Sequence, residues 1–148
     1  MIGLVQRVSR AHVSVQEHVV GQISSGMVVM VGIEKNDTQS QAQALLERIL
    51  SFRIFNDEAQ KMNWSLSQTK GGLLLIPQFT LAAETSKGTR PGFSTSAPPA
   101  VAKPLFDYLC EKAKALHPTV ATGVFGATMQ VSLINEGPAT FWLETKPA

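Results

Sequence analysis

Cysteine is almost missing from this chain: Cys110 is the only one in 148 residues. One thiol cannot close an intramolecular disulfide and leaves no cysteine framework for a metal, which suits a reducing compartment. Histidine is nearly as scarce, and His12, His18 and His117 are too far apart, and too unlike an HExxH pattern, to suggest a metal site. No metal is expected. Charge is sparse as well. Asp, Glu, Lys and Arg make up 16% of the residues, and 13 basic against 11 acidic side chains leave a formal charge of +2. That is too mild to single out a nucleic acid as partner by electrostatics alone. The apolar runs at 27–33 and 73–76 fall far short of the ~20 residues that a membrane-spanning helix needs. Met1 leads straight into alternating residues, with no basic segment followed by an apolar stretch and a cleavage site. A cytoplasmic protein with no membrane partner is the expectation. Walker-type phosphate loops, GxGxxG fingerprints and GxSxG elbows are all absent, so neither a nucleotide cofactor nor an elbow serine is expected.

What the sequence does have is apolar material, at 44% of residues, enough for one domain with a proper core. From Gly3 to Ser24 apolar and polar residues alternate, with Val5, Val8, Val13 and Val15 on the period of two that marks half-buried strands. Two or three strands are expected there. The run "MVVMVGI" between Gly26 and Ile33 reads as a strand buried on both faces, and so as the central one. The period then changes. Ala42, Leu45, Leu46, Ile49 and Leu50 recur at helical spacing behind a cap at Asp37 or Thr38. A polar, turn-rich excursion over 56–72 separates this helix from the strand "GLLLIPQFTL". A long loop of Gly, Ser, Thr and Pro over 82–99 precedes a second helix, with Leu105, Tyr108, Leu109 and Ala113 on one stripe. Two closing strands, "ATMQVSLI" and "ATFWLET", are joined through Asn135, Glu136, Gly137 and Pro138. The order predicts a single α/β domain: mixed β-sheet layers with two main helices on one side.

Two segments offer chemistry, both through the backbone. Proline cannot donate to a sheet ladder, so Pro77 implies an edge strand, a bulge or a local break in pairing. The amides of Gln78, Phe79 and Thr80 just after it are then candidates for an oxyanion site, with Phe79 as a wall. The long loop that follows is more often functional than accidental. At Gly137-Pro138 the question is whether the pair is a plain turn. X–Pro bonds are cis in about 5–6% of cases in folded proteins, usually in tight turns, so a trans connection is the simpler reading of these residues alone. Thr80 is a conceivable nucleophile with no base near it in sequence. His12 reads as a surface side chain and Cys110 as packing. Lys61, Lys70, Lys87 and Arg90 lie where a phosphate backbone could be met, or are ordinary solvated loop residues.

"PQFTL" at 77–81 and "NEGPAT" at 135–140 resemble the two signature motifs of the D-aminoacyl-tRNA deacylase family, SQFTL and GPVT. "LVQRVSRAHVSV" near the start, "RPGFS" at 90–94 and "MQVSLINEGPATFWLE" at 129–144 follow the family's order and spacing, so the likeness spans the chain. The resemblance implies a homodimer with cross-subunit active sites that hydrolyses the ester between a D-amino acid and tRNA. Glycine mischarged onto alanine tRNA is a further implied substrate. It implies no cofactor, tRNA and not DNA as partner, and a role in proofreading during translation. Residue by residue, it implies a cis Gly137-Pro138 peptide inserted into the partner's pocket. Gln78, Phe79 and Thr80 would line the catalytic site, Met129 would pack at the substrate end, and Arg7 would brace the incoming loop. Chirality would be read by main-chain carbonyls that hold the α-amino group and collide with an L side chain. The attacking water would be helped by the vicinal ribose hydroxyl.

Three positions depart from the family pattern: Pro77 and Gly92 replace serines, and Ala139 replaces valine. None removes a charge, so tuned rather than lost activity is expected. Two other readings remain open at this point. One is a non-catalytic module that binds the tRNA acceptor end, and the other is an ester hydrolase with Thr80 as nucleophile.

Overall fold

Alternation at the start of the chain produces one long strand, β1 (Ile2–Val15), and the rest of the sheet is assembled on it. The computed structural model describes residues 1–148. A two-residue turn at Gln16 and Glu17, both at positive φ, returns the chain into β2 (His18–Ile23). β3 (Gly26–Gly32) pairs antiparallel with the first half of β1, from Ile2 opposite Gly32 to Val8 opposite Gly26, and β2 pairs with the second half. The other edge of β1 is taken along most of its length by β8 (Gln130–Glu144), also antiparallel. β6 (Gly72–Pro77) and β7 (Val120–Thr122) extend the sheet in parallel beyond β3, giving the order β2-β1-β3-β6-β7.

The sheet curls until its first and last strands nearly meet. A side chain at Gly21 of β2 would place its Cβ 2.7 Å from the carbonyl oxygen of Thr122 in β7, so this approach needs glycine. Curling creates two cores. On one face α1 (Gln39–Ser51) and α3 (Pro99–Leu116) bury Leu45, Ile49, Leu105 and Leu109 against Val5, Val29, Leu73 and Leu75. Within the curl, Val8, Val13, Val28, Leu74 and Ile76 form a smaller cluster. Both main helices thus lie on one side, as their period and the element order imply.

Local capping explains where α1 starts. Thr38, not Asp37, is the cap: its hydroxyl accepts from Ser40 N at 3.3 Å, and the Gln41 side chain returns to the Thr38 amide at 2.8 Å. Asp37 instead takes the α-ammonium of Met1 at 2.9 Å and the amide of Glu34 at 2.7 Å. The polar excursion is partly ordered, as a small ribbon of β4 (Phe55–Asn56) and β5 (Met62–Trp64) and a single turn, α2 (Leu66–Thr69). No helix is long and apolar enough to cross a membrane.

Two strand readings are settled by the neighbouring strands. Of the three that Pro77 left open, an edge strand is not the one found, since β3 and β7 flank β6; pairing with β7 breaks off locally instead. Pro77 is the last residue of β6, opposite Val31, and is buried. Gln78 donates its amide to the β3 side, so by alternation a donor at 77 would face the β7 side, where pairing has ended at Thr122. The closing segment, read as two strands around a connection, is one strand with a large bulge. Arg7 alone separates Gln6 from Val8 on β1, whereas Glu136, Gly137, Pro138 and Ala139 separate Asn135 from Thr140 on β8.

Cys110 sits in α3 with only 7% of its surface exposed, and burial pushes its thiol up to about 12. At pH 8 the thiolate is negligible. The native protein is therefore expected to resist iodoacetamide for hours and to react only after unfolding, which intact-mass measurement checks.

Candidate active site

Because β3 and β6 run parallel, their carboxyl ends fall together, and a crevice opens there as in other parallel arrangements. Its volume is about 810 Å³, within the range of about 300–1,000 Å³ for small-ligand sites. Val31, Ile33 and Pro77 come from the strand ends, Met129 and Val131 from the start of β8, and Pro98, Pro99 and Ala102 from the start of α3. Met129 and Pro77 close up over Gly123, where an added Cβ would lie 2.9 Å from the Met129 sulfur and 3.2 Å from the Pro77 ring. The lining contains no carboxylate, and Lys35 is its one ionisable side chain.

After Gln78 the chain tightens into a 3-10 turn, Phe79–Ala82. The expectation of three free amides is corrected here: Gln78 N–H donates to the Val31 carbonyl at 2.8 Å. Phe79 and Thr80 are the first two residues of the turn, where i−3 acceptors run out, and their amides have no acceptor in the chain. Phe79 is 59% exposed and packs its ring 5.3 Å from that of Phe93, itself 44% exposed. Two large aromatic side chains left that open beside a cavity are a stacking surface without an occupant from this chain.

The long loop is not structureless. Glu84 and Gly92 exchange backbone hydrogen bonds of 2.7 and 2.9 Å, closing a short hairpin. The hydroxyl and amide of Ser86 hold the Glu84 carboxyl below its ordinary range. Thr95 Oγ1 donates to the Ala82 carbonyl, and Ser96 Oγ donates to that of Phe79 at 3.3 Å. These bonds fix Phe93 against Phe79. At Gly92 an added Cβ would meet only ordinary contacts, the nearest being Glu84 Cβ at 3.7 Å, so the family serine would fit here unchanged.

Of the residues singled out from sequence, Gln78, Phe79 and Met129 line the crevice together. Thr80 is exposed and is not among the lining residues, and its hydroxyl accepts from Gln78 Nε2 at 2.5 Å. An amide cannot take a hydroxyl proton at neutral pH. Thr80→Ala is therefore expected to keep turnover within about threefold, since only a hydroxyl used as nucleophile would cost orders of magnitude. Single-turnover hydrolysis measures this. Phe93, Phe125 and Lys35 also line the crevice and were not singled out as site residues. Phe93 was visible only as part of "RPGFS", and nothing local marks the other two.

Gly137 and Pro138 are absent from this lining. They form the exposed crest of the β8 bulge, and the bond between them is cis. The base of the bulge is tied down on both sides. Arg7 Nε donates to the Glu136 carbonyl at 3.0 Å, while its Nη1 holds the Ile54 carbonyl at 2.7 Å and Asn56 Oδ1 at 3.2 Å. Asn135 Nδ2 donates to the carbonyls of Arg7 and Ala139 at 3.0 and 3.2 Å. Arg7, expected to brace a loop coming in from the partner, is here bonded to the bulge of its own chain. Beside it, Met30, Leu4 and Trp142 make a cross-strand apolar row, with Trp142 52% exposed.

The family model and the curated relatives agree on one family. A family model described as D-Tyr-tRNA(Tyr) deacylase matches residues 4–144. A D-aminoacyl-tRNA deacylase of Thioalkalivibrio sulfidiphilus is 55% identical over 147 residues, 99% of each chain. One from Pseudomonas fluorescens is 54% identical over 145 residues, 98% of this chain and 100% of its own. Among solved structures, one described as c-Myc DNA Unwinding Element Binding Protein superposes with a TM-score of 0.94 at 33% identity, covering 99% of this chain and 100% of its own. A probable eukaryotic D-amino acid tRNA deacylase superposes with a TM-score of 0.83 at 18% identity over 96% of this chain and 97% of its own, a likeness of fold.

Proposed function

The chain belongs to the D-Tyr-tRNA(Tyr) deacylase family and hydrolyses D-aminoacyl-tRNA, and we propose that it does so with main-chain groups contributed by two subunits. One observation carries this reading. The crevice of a single chain has free amides and apolar walls but no carboxylate for the substrate's α-ammonium, while the Gly137-Pro138 crest stands exposed outside it. A second copy of the chain would bring carbonyl acceptors in on that crest. The apolar row of Met30, Leu4 and Trp142 beside the bulge would be the surface that the two copies cover.

In this arrangement carbonyls of the partner's crest hold the α-ammonium, and the ester carbonyl oxygen faces the amides of Phe79 and Thr80. An L side chain would point into the crest, which Arg7 and Asn135 hold in place, so it is excluded by collision with backbone. A D side chain points out of the crevice, which lets one site serve many amino acids. Glycine on alanine tRNA passes the same test, having no side chain to collide. Water, oriented by the vicinal ribose hydroxyl, adds to the ester carbon. The amides take the charge that develops on oxygen, the carbon–oxygen bond to the ribose breaks, and the ribose oxygen leaves with a proton. Free D-amino acid and reusable tRNA result, in the cytoplasm where charged tRNA is used.

Subunit mixing tests the two-chain site. One variant lacks the crest, and another has a blocked crevice (Ala102→Trp); each alone is expected to be inactive, and their mixture to recover up to about a quarter to a half of wild-type activity through heterodimers. A mixture with no activity, from subunits shown to exchange, would show that each site is built from one chain. Excess duplex DNA is expected to leave deacylation untouched, consistent with tRNA as the partner.

A further inference from the structure

Lys35 is the one charge in a crevice otherwise lined by apolar and neutral polar residues. It follows β3 and Ile33, and its backbone is pinned to the loop by a 3.1 Å bond from Lys35 N to the Thr95 carbonyl. Its ammonium has no carboxylate partner. The two acids nearest in sequence are engaged elsewhere: Glu34 and Asp37 both face the Met1 α-ammonium, at 3.4 and 2.9 Å. No carboxylate within ion-pair distance therefore offsets the Lys35 charge at this end of the crevice.

An aminoacylated tRNA end has two charged groups near the ester. The α-ammonium would be repelled by Lys35, whereas the phosphodiester on the 5′ side of the terminal adenosine would be attracted. We propose that Lys35 is a phosphate-contacting residue of the crevice. It would fix the direction of the bound substrate, with the nucleotide toward Lys35 and the α-ammonium toward the partner's Gly137-Pro138 crest. This inference rests on the deacylase reading and adds an orientation to it. A lysine suits the task because a point charge on a flexible stem can follow a phosphate without fixing its angle.

The test compares two substrates: D-tyrosyl-tRNA, and the D-tyrosyl 3′-ester of adenosine, which has no phosphate. Lys35→Met, which keeps the apolar stem, is expected to raise KM for D-tyrosyl-tRNA about five- to tenfold at low salt. The slope of log KM against log salt should flatten by about one ion. For the adenosine ester, KM should move by less than about twofold, because no phosphate contact is lost. Lys35→Arg should restore most of the tRNA affinity, which a purely structural role for the stem does not predict. Equal effects on both substrates, or none on either, would overturn the proposal. A wild-type protein that cleaves no D ester would instead overturn the reading on which it rests. Thermal melts of both variants separate loss of contact from loss of fold.

Discussion

Deleting Glu136, Gly137 and Pro138 is expected to leave a folded protein whose kcat/KM on D-tyrosyl-tRNA falls by about 10²–10³-fold. The fold should survive because the deletion regularises the ladder: Ala139 alone would then face Arg7, with Asn135 still opposite Val8 and Thr140 still opposite Gln6. Arg7 loses its bond to the Glu136 carbonyl but keeps those to Ile54 and Asn56. Activity should collapse because, in the two-subunit site proposed above, the crest supplies the carbonyls that the crevice of one chain lacks. Circular dichroism and a thermal melt report the fold, and single-turnover kinetics report the site. A shortened protein that stays within tenfold of wild type would remove the crest from the mechanism.

Gly26→Ala is expected to cost about 3 kcal/mol or more, a fall of roughly 6–12 °C in Tm for a domain of this size. Gly26 pairs with Gly72 across the parallel β3–β6 ladder. A Cβ there would lie 2.0 Å from the Gly72 carbonyl oxygen and 2.6 Å from its nitrogen. Neither is a flexible side-chain end, so the two central strands would have to part where both cores meet them. Gly88→Ala is the contrast. Gly88 has φ +69 and open space around it, so only its left-handed backbone resists the change, at about 1 kcal/mol. If Gly26→Ala melts no lower than Gly88→Ala, the close approach of the strands has been misjudged.

Local patterns in the sequence carry much of this fold. The helical spacing from Ala42 to Leu50 becomes α1, and the alternation around Val5 and Val13 becomes β1. What they do not carry depends on partners distant in sequence. The Gly26–Gly72 contact and the approach of Gly21 to Thr122 join residues about fifty and a hundred positions apart, and as sequence Gly26 and Gly72 marked only strand boundaries while Gly21 had no mark of its own. Pro77 left an edge, a bulge and a local break in pairing all open because a proline reports one missing donor, not whether the neighbouring strand has already ended. The β8 bulge was read as a connection because four residues without a partner look like a turn until the strand opposite is known.

The site divides along the same line. Gln78, Phe79 and Met129 were legible through the resemblance, and the structure gathers them in one crevice. Gln78's amide was counted as free because its acceptor, Val31, lies on another strand. Lys35 and Phe125 reach the crevice from segments with no motif of their own. A lysine after a strand looks like any solvated lysine until the carboxylates around it are seen to be engaged elsewhere.

Single-turnover deacylation of D-tyrosyl-tRNA and L-tyrosyl-tRNA by the purified protein, without added metal, tests the central claim most directly. Chiral exclusion by backbone predicts that the D ester is cleaved in a single exponential phase while the L ester decays no faster than in buffer. Equal cleavage of both, or cleavage of neither, would contradict it.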